Sequence, residues 1–70
     1  MKVVEIRQQP IELYKLLKFE GLASSGGEAK MLIADGQVRL NGEVETQKRK
    51  KIVAGDVVEF ASQKLRIRVS

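Results

Sequence analysis

Apolar and polar residues alternate near both ends of the chain. The segment 2–7 directs Val4 and Ile6 to one side, and such β-branched alternation predicts a short strand. Two more strands are predicted over 57–61 and 64–69, joined by a turn at 62–63. Because Arg66 and Arg68 alternate with apolar residues in the last strand, we expect them to protect an exposed sheet edge.

The middle of the chain has helical spacing. Leu13, Leu16 and Leu17 fall on one face of a helix predicted over 10–20, with Pro10 in its first turn. Gly21 follows as a stop signal. The four or five residues between this helix and the next predict a compact helix pair.

A second helix is predicted over 26–35. Ser25 has the position of an N-cap, and Glu28 is placed to reach back to it in a capping box. Ala29, Leu32 and Ile33 share the apolar face. Gly36 is expected to end this helix in a left-handed conformation.

Strand patterning returns after Gly36. Val38 and Leu40 alternate with a polar residue, and Asn41-Gly42 is a strong hairpin-turn signal. A two-residue turn would place glutamates 43 and 45 on the apolar side, so we expect a bulge or a longer loop here. Gly55-Asp56 predicts a further turn.

Composition limits the possible chemistry. Seventy residues predict a single domain over 1–70, and the chain contains neither cysteine nor histidine. Disulfides, thiol chemistry and the commonest metal ligands are therefore excluded, and the acidic residues are dispersed. We expect no enzyme activity, cofactor or metal. With no signal-peptide pattern and no membrane-length apolar run, a cytoplasmic location is expected.

Positive charge is concentrated at one point. The formal net charge is +4, and Lys48, Arg49, Lys50 and Lys51 are consecutive. Such a run is often only a solvated loop. Between the strands of a small domain, however, four like charges repel one another, and RNA phosphates would relieve that repulsion.

Other positions have two interpretations. Lys18 and Lys30 are either ordinary helix lysines or RNA contacts. Gly26 is either part of a loose helix entry or an opening for an RNA backbone to reach free amides. We expect Phe19 to pack in the core, whereas packing and base stacking both remain open for Tyr14.

More than half of the chain resembles the alpha-L RNA-binding domain of the ribosomal protein S-four type, and its small stand-alone, YbcJ-like bacterial branch in particular. The matching features are Leu13, Leu17, Gly21-Leu22-Ala23-Ser24-Ser25, Glu28-Ala29-Lys30, Ile33, Gly36, Val38, Asn41-Gly42, Thr46 and Gly55-Asp56. Glu12, Tyr14 and Gly26 depart from the residues usual in the large branch of the family.

The resemblance implies an α+β fold, with two packed helices against a small, mostly antiparallel sheet of four to five short strands. It also implies an RNA-binding surface on the helix pair and the basic loop. Carried over by position, that surface contains Lys18, Ser25, Gly26, Lys30 and Lys48, extended by Arg49, Lys50 and Lys51.

The expected function is therefore non-catalytic binding of structured RNA, with ribosomal RNA and tRNA as candidates, by a monomer that uses neither a membrane nor a small-molecule substrate. One alternative is a β-grasp sulfur carrier, which shares the Asn-Gly-Glu hairpin and the Gly-Asp turn. Its chemistry needs a C-terminal Gly-Gly, whereas this sequence ends Val69-Ser70. A basic protein–protein adaptor is the other alternative.

Overall fold

Seven short strands and two helices follow one another along residues 1–70, all of which the computed structural model describes. In chain order they are β1 (Lys2–Ile6), β2 (Ile11–Glu12), α1 (Leu13–Phe19), α2 (Gly26–Ala34), β3 (Val38–Leu40), β4 (Glu43–Val44), β5 (Lys51–Ile52), β6 (Val57–Phe60) and β7 (Gln63–Val69). Neither helix has the length and apolar character needed to span a membrane.

Five of the strands form the main sheet, in the order β1-β7-β6-β3-β4. β1 and β7 are parallel, and every other neighbouring pair in this sheet is antiparallel. β2 and β5 form a separate antiparallel pair. Two helices packed on a small, mostly antiparallel sheet confirm the predicted α+β class.

The core lies between the helices and one face of the main sheet. The strand register aligns Val4 with Ile67 and Val58 with Leu65, so these buried side chains share that face. Among the helix residues predicted from their spacing, five are at most 1% exposed: Leu13, Leu16, Leu17, Ala29 and Ile33. The sixth, Leu32, is half-buried and packs against the margin of this core.

The opposite face of the sheet is open to solvent. Arg66 and Arg68 lie there, but the prediction that they guard a sheet edge is wrong, because β7 is bonded to β1 on one side and to β6 on the other. Arg68 instead forms an ion pair with Glu5 on the neighbouring strand. Its partner is 63 residues away in the sequence, so no local pattern signals the contact.

The first helix begins later than predicted. Ile11 and Glu12 have extended backbone and pair with β5, so α1 starts at Leu13 instead of Pro10. The Gln9–Pro10 peptide bond is cis. A long-range strand pairing thus takes the place of the first predicted helical turn.

The second helix closely follows its prediction. The Ser25 hydroxyl accepts a hydrogen bond from the Glu28 amide at 3.1 Å, which confirms the N-cap. Glu28 does not reach back to Ser25, however, because its carboxylate accepts hydrogen bonds from the amide and the hydroxyl of Ser24. Gly36 has a φ of +81°, the left-handed conformation expected at the helix end.

The turn at Asn41-Gly42 is a two-residue turn, and the predicted bulge is absent. Both residues have positive φ, 53° and 88°, and Arg39 aligns with Val44 as an unbulged hairpin requires. Glu43 does follow the apolar side, opposite Leu40, but β4 is a two-residue edge strand and leaves the carboxylate exposed. The expected conflict therefore does not arise.

Burial of Leu16 leads to a stability prediction. Leu16→Ala should lower the free energy of unfolding by about 2–5 kcal/mol, because the side chain is only 1% exposed and its removal leaves a cavity. Met31→Ala is the control, since Met31 is 68% exposed on α2 and should change stability by about 0.5 kcal/mol or less. Urea denaturation followed by circular dichroism measures both, and equal losses would contradict the described packing.

Candidate nucleic-acid interface

The four consecutive cations Lys48, Arg49, Lys50 and Lys51, called the basic segment below, are fixed to the start of α1 by backbone hydrogen bonds. The amide of Leu13 donates to the carbonyl of Lys50 at 2.9 Å, and the amide of Tyr14 donates to the carbonyl of Lys48 at 3.1 Å. The first amides of a helix lack partners within the helix, and α1 has no side-chain cap. The basic segment therefore caps this helix.

The end of the basic segment is held by strand pairing. Lys51 aligns with Glu12, and the adjoining Ile52 aligns with Ile11 and is completely buried. The side chain of Lys51 remains exposed. The buried isoleucine thus anchors a segment whose charged groups lie in solvent.

Three cations surround the half-buried ring of Tyr14. The Nζ of Lys30 lies 4.6 Å from the ring centroid, the guanidinium carbon of Arg49 lies 5.4 Å from it, and the Nζ of Lys15 lies 5.9 Å from it. These distances are typical of cation–π contacts. Since Lys15, Lys30 and Arg49 come from α1, α2 and the basic segment, the ring connects three parts of the fold; Tyr14 and these cations are called the Tyr14 cluster.

Glu12 is the carboxylate paired with this cluster. One of its oxygens lies 3.3 Å from the Nζ of Lys15, and the other lies 3.5 Å from a guanidinium nitrogen of Arg49. Partial desolvation by itself would raise the pKa of Glu12. The ammonium of Lys15 and the guanidinium of Arg49 lower the pKa by more than desolvation raises it. The net pKa lies below the ordinary value, so the carboxylate is ionised at neutral pH.

Gly26 lies beside the Tyr14 ring. A Cβ added to Gly26 would lie 3.6 Å from the ring carbon Cε2, which is ordinary van der Waals contact. The amides of Gly26 and Gly27 donate to no protein acceptor, because the cap of α2 engages the amides of Glu28 and Ala29. The unbonded N–H group of Gly26 thus belongs to a residue beside the Tyr14 cluster, and that of Gly27 follows it in the chain.

The remaining predicted site residues occupy different places. Lys18 is exposed one helical turn after Tyr14, on the same side of α1, and has no ion pair. Ser25 is committed to capping α2. Lys48 is exposed and Lys50 is half-buried. The structure therefore groups Gly26, Lys30 and Arg49 around Tyr14, whereas Lys51 lies beside Glu12 at the β2–β5 pair.

Sequence reasoning missed the centre of this arrangement. The sequence leaves both packing and stacking open for Tyr14, and it indicates no contact with Tyr14 for either Lys15 or Glu12. The spacing of Glu12 and Lys15, three residues apart, is a local signal for their ion pair. Arg49 approaches them only through tertiary folding. Phe19, predicted to be core, is 75% exposed because it ends α1 beyond the sheet-facing leucines.

Known proteins share this arrangement of helices and strands. The family model described as S4 domain matches residues 4–68, nearly the whole chain. The chain belongs to the S4 domain family. The predicted resemblance to the alpha-L RNA-binding domain is thereby confirmed.

Several relatives share most of their length with this S4 domain chain. YbcJ of Escherichia coli (strain K12), whose name assigns it provisionally to the RNA-binding proteins, is 53% identical over 57 residues, 81% of each protein. The Bacillus subtilis (strain 168) protein named "Probable ribosome maturation protein RlbA" is 34% identical over 57 residues, 81% of this chain and 80% of that protein.

Solved structures agree with the fold. The solution structure of E. coli YbcJ, described as revealing an alpha-L motif involved in RNA binding, matches with a TM-score of 0.71 and 47% identity, over 96% of this chain and 86% of that one. The 30S ribosomal protein S4e of Thermoplasma acidophilum matches with a TM-score of 0.70 and 23% identity, over 86% of this chain and 32% of that one, and supports the fold alone.

The ion pairs of Glu12 generate a titration prediction. Arg49→Gln should raise the pKa of Glu12 towards its ordinary value, because one of the two cations that lower it is removed. Carboxyl-detected NMR titration at acidic pH measures the midpoint. Lys48→Gln is the control, since Lys48 neighbours Arg49 but forms no ion pair with Glu12. An unchanged midpoint in Arg49→Gln would show that the guanidinium does not hold this position in solution.

Proposed function

We propose that residues 1–70 form a single, non-catalytic RNA-binding domain that recognises structured RNA through the Tyr14 cluster and the basic segment. Lys18, Lys30, Lys48, Arg49, Lys50 and Lys51 supply cations to phosphates. The backbone amides of Gly26 and Gly27, which follow Ser25, donate hydrogen bonds to a phosphate oxygen. The RNA-binding descriptions of YbcJ support this proposal.

The observation that carries the proposal is the crowding of charge at Tyr14. Three cations lie within 5.9 Å of one ring centroid, and like charges gathered around a single ring repel one another. Glu12 is the only carboxylate paired with them. An external polyanion removes the remaining repulsion, and released counterions add to the binding free energy.

The RNA target follows from the same surface. Cations spread over α1, α2 and the basic segment match a folded phosphate backbone better than one extended strand, and RNA helices are recognised mainly through phosphates, 2′-hydroxyls and shape. The name of RlbA connects that relative with ribosome maturation. We extend this connection to the present chain and take ribosomal RNA, bound by a monomer in the cytoplasm, as the target.

Of the two alternative functions, the fold argues against one, and binding measurements can test the other. A β-grasp sulfur carrier is not retained, because the chain has the alpha-L fold and family. A basic protein–protein adaptor would use the same positive surface for an acidic protein. Such an adaptor would bind RNA no more tightly than any other polyanion, whereas the proposed RNA-binding domain would prefer structured RNA.

The salt dependence of binding tests the proposed function. Replacing the basic segment by glutamine at all four positions should weaken binding to a structured ribosomal RNA fragment and lower the slope of log K against log salt. Each lost phosphate contact should reduce that slope by about 0.7–0.9. Fluorescence anisotropy over a salt series measures both quantities. Stability should fall only modestly, because the hydrogen bonds that hold the segment to α1 come from its backbone, and the lost side-chain contacts of Arg49 are worth about 0.5–1 kcal/mol each.

Lys64→Gln/Arg66→Gln is the matched control, because both cations lie on the opposite face of the sheet. This variant should retain the wild-type slope, apart from a small general effect of net charge. Equal losses in both variants would indicate non-specific attraction. Equal affinity of the wild type for RNA and for an acidic polypeptide would favour the adaptor.

Gly26→Ala separates folding from binding at one position. The added methyl makes ordinary contact with Tyr14, and alanine is the better helix former, so the free energy of unfolding should rise by up to about 1 kcal/mol. RNA affinity should fall, because the methyl obstructs a phosphate approaching the free amides. Thermal denaturation and anisotropy measure the two effects. A more stable variant with undiminished affinity would exclude this backbone contact.

A further inference from the structure

A cleft lies on the flank of α1 away from α2. It has a volume of about 670 Å³ and is enclosed by β1, the segment 7–12 and α1, with Lys51 of the basic segment at its border. Its apolar lining includes Ile6, Ile11 and Leu16. The volume falls within the range of about 300–1,000 Å³ typical of small-ligand clefts.

An exposed aromatic ring borders this cleft. Phe19 lines it and is 75% exposed, although it is one of only two phenylalanines in the chain. Leaving a phenylalanine in water forgoes the free energy of its burial. In a protein that binds RNA, an exposed ring offers a face on which an unstacked base can lie.

The charges of the cleft favour an anion. Each of its three carboxylates is already paired: Glu5 with Arg68, Glu12 with Lys15 and Arg49, and Glu20 with Lys2. Arg7 and Lys51 line the same cleft and have no ion pair. The uncompensated charge of the lining is therefore positive.

The cleft also adjoins the Tyr14 cluster. Lys15 lines the cleft, and its Nζ lies 5.9 Å from the Tyr14 ring centroid and 3.3 Å from Glu12. Lys51 is the last residue of the basic segment. An RNA strand on the Tyr14 cluster can thus continue around α1 into the cleft past the cations Lys15 and Lys51.

We propose that this cleft binds one unpaired nucleotide of the RNA, with its base stacked on Phe19 and its phosphate against Arg7 and Lys51. The inference rests on the proposed function and adds the part of the RNA that is recognised: a paired region with an adjoining single-stranded nucleotide. Stacking on an aromatic side chain tolerates any base, so the cleft selects for an unpaired nucleotide instead of a sequence.

The test compares two RNAs that differ in one feature. One is a blunt-ended hairpin, and the other is the same hairpin with a three-nucleotide single-stranded overhang. Phe19→Ala should weaken binding of the overhang hairpin by about 5- to 150-fold, the loss expected for one stacked base, and leave the blunt hairpin unaffected. Met31→Ala is the control, as another large exposed apolar residue, on α2.

A direct signal comes from 2-aminopurine placed in the overhang, whose fluorescence should change on binding to the wild type and not to Phe19→Ala. Unchanged affinity of Phe19→Ala for both hairpins, or an equal loss for both, would overturn the inference. Unchanged affinity would also point to a protein segment as the occupant of the cleft. Failure of the wild type to bind either hairpin at low salt would instead refute the proposed function.

Discussion

The docking of the basic segment on the first turn of α1 is the constraint on which the rest of the surface depends. Two backbone amides of an uncapped helix find their acceptors in the carbonyls of Lys48 and Lys50. Leaving such groups unpaired away from water costs about 1–3 kcal/mol each. The helix therefore needs the segment for its own start, and as a consequence Arg49 lies over Tyr14 and Glu12. A feature that resembles a flexible charged loop in the sequence is part of the framework.

This constraint also explains how like charges can be held together. Lysine side chains in an unrestrained loop would separate to reduce their repulsion. Here the Tyr14 ring offers its negative face to cations from three elements, and Glu12 neutralises part of their charge. Each contact contributes only about 0.5–1 kcal/mol at an exposed site. Together they arrange the cations before a ligand arrives, so less conformational entropy is lost on binding.

Interactions between residues close together in the sequence were predictable, whereas those between distant segments were not. The Ser25 cap, the left-handed Gly36 and the alternation of Leu65 and Ile67 are signalled within a few residues, and each was predicted correctly. The family resemblance provided the fold. The predictions were wrong where distant segments meet. Because β2 pairs with β5 across about forty residues, α1 begins at Leu13 and not at Pro10. The Tyr14 cluster has the same origin, because Arg49 reaches Tyr14 only in the folded chain.

In the proposed mode of RNA binding, the first helix has a different role on each of its flanks. Towards α2 it presents Tyr14 and Lys18, where charge and free amides suit phosphates. On the other flank it presents Phe19 beside a cleft whose apolar lining residues suit a base. Lys15 and Glu12 lie between the two and contribute to both. Because a single seven-residue helix separates the flanks, a strand that leaves a paired region can be held on one side by its phosphates and on the other by an unstacked base. Recognition of such a junction would require little sequence information from the RNA, which agrees with a surface built from cations, backbone amides and one exposed ring.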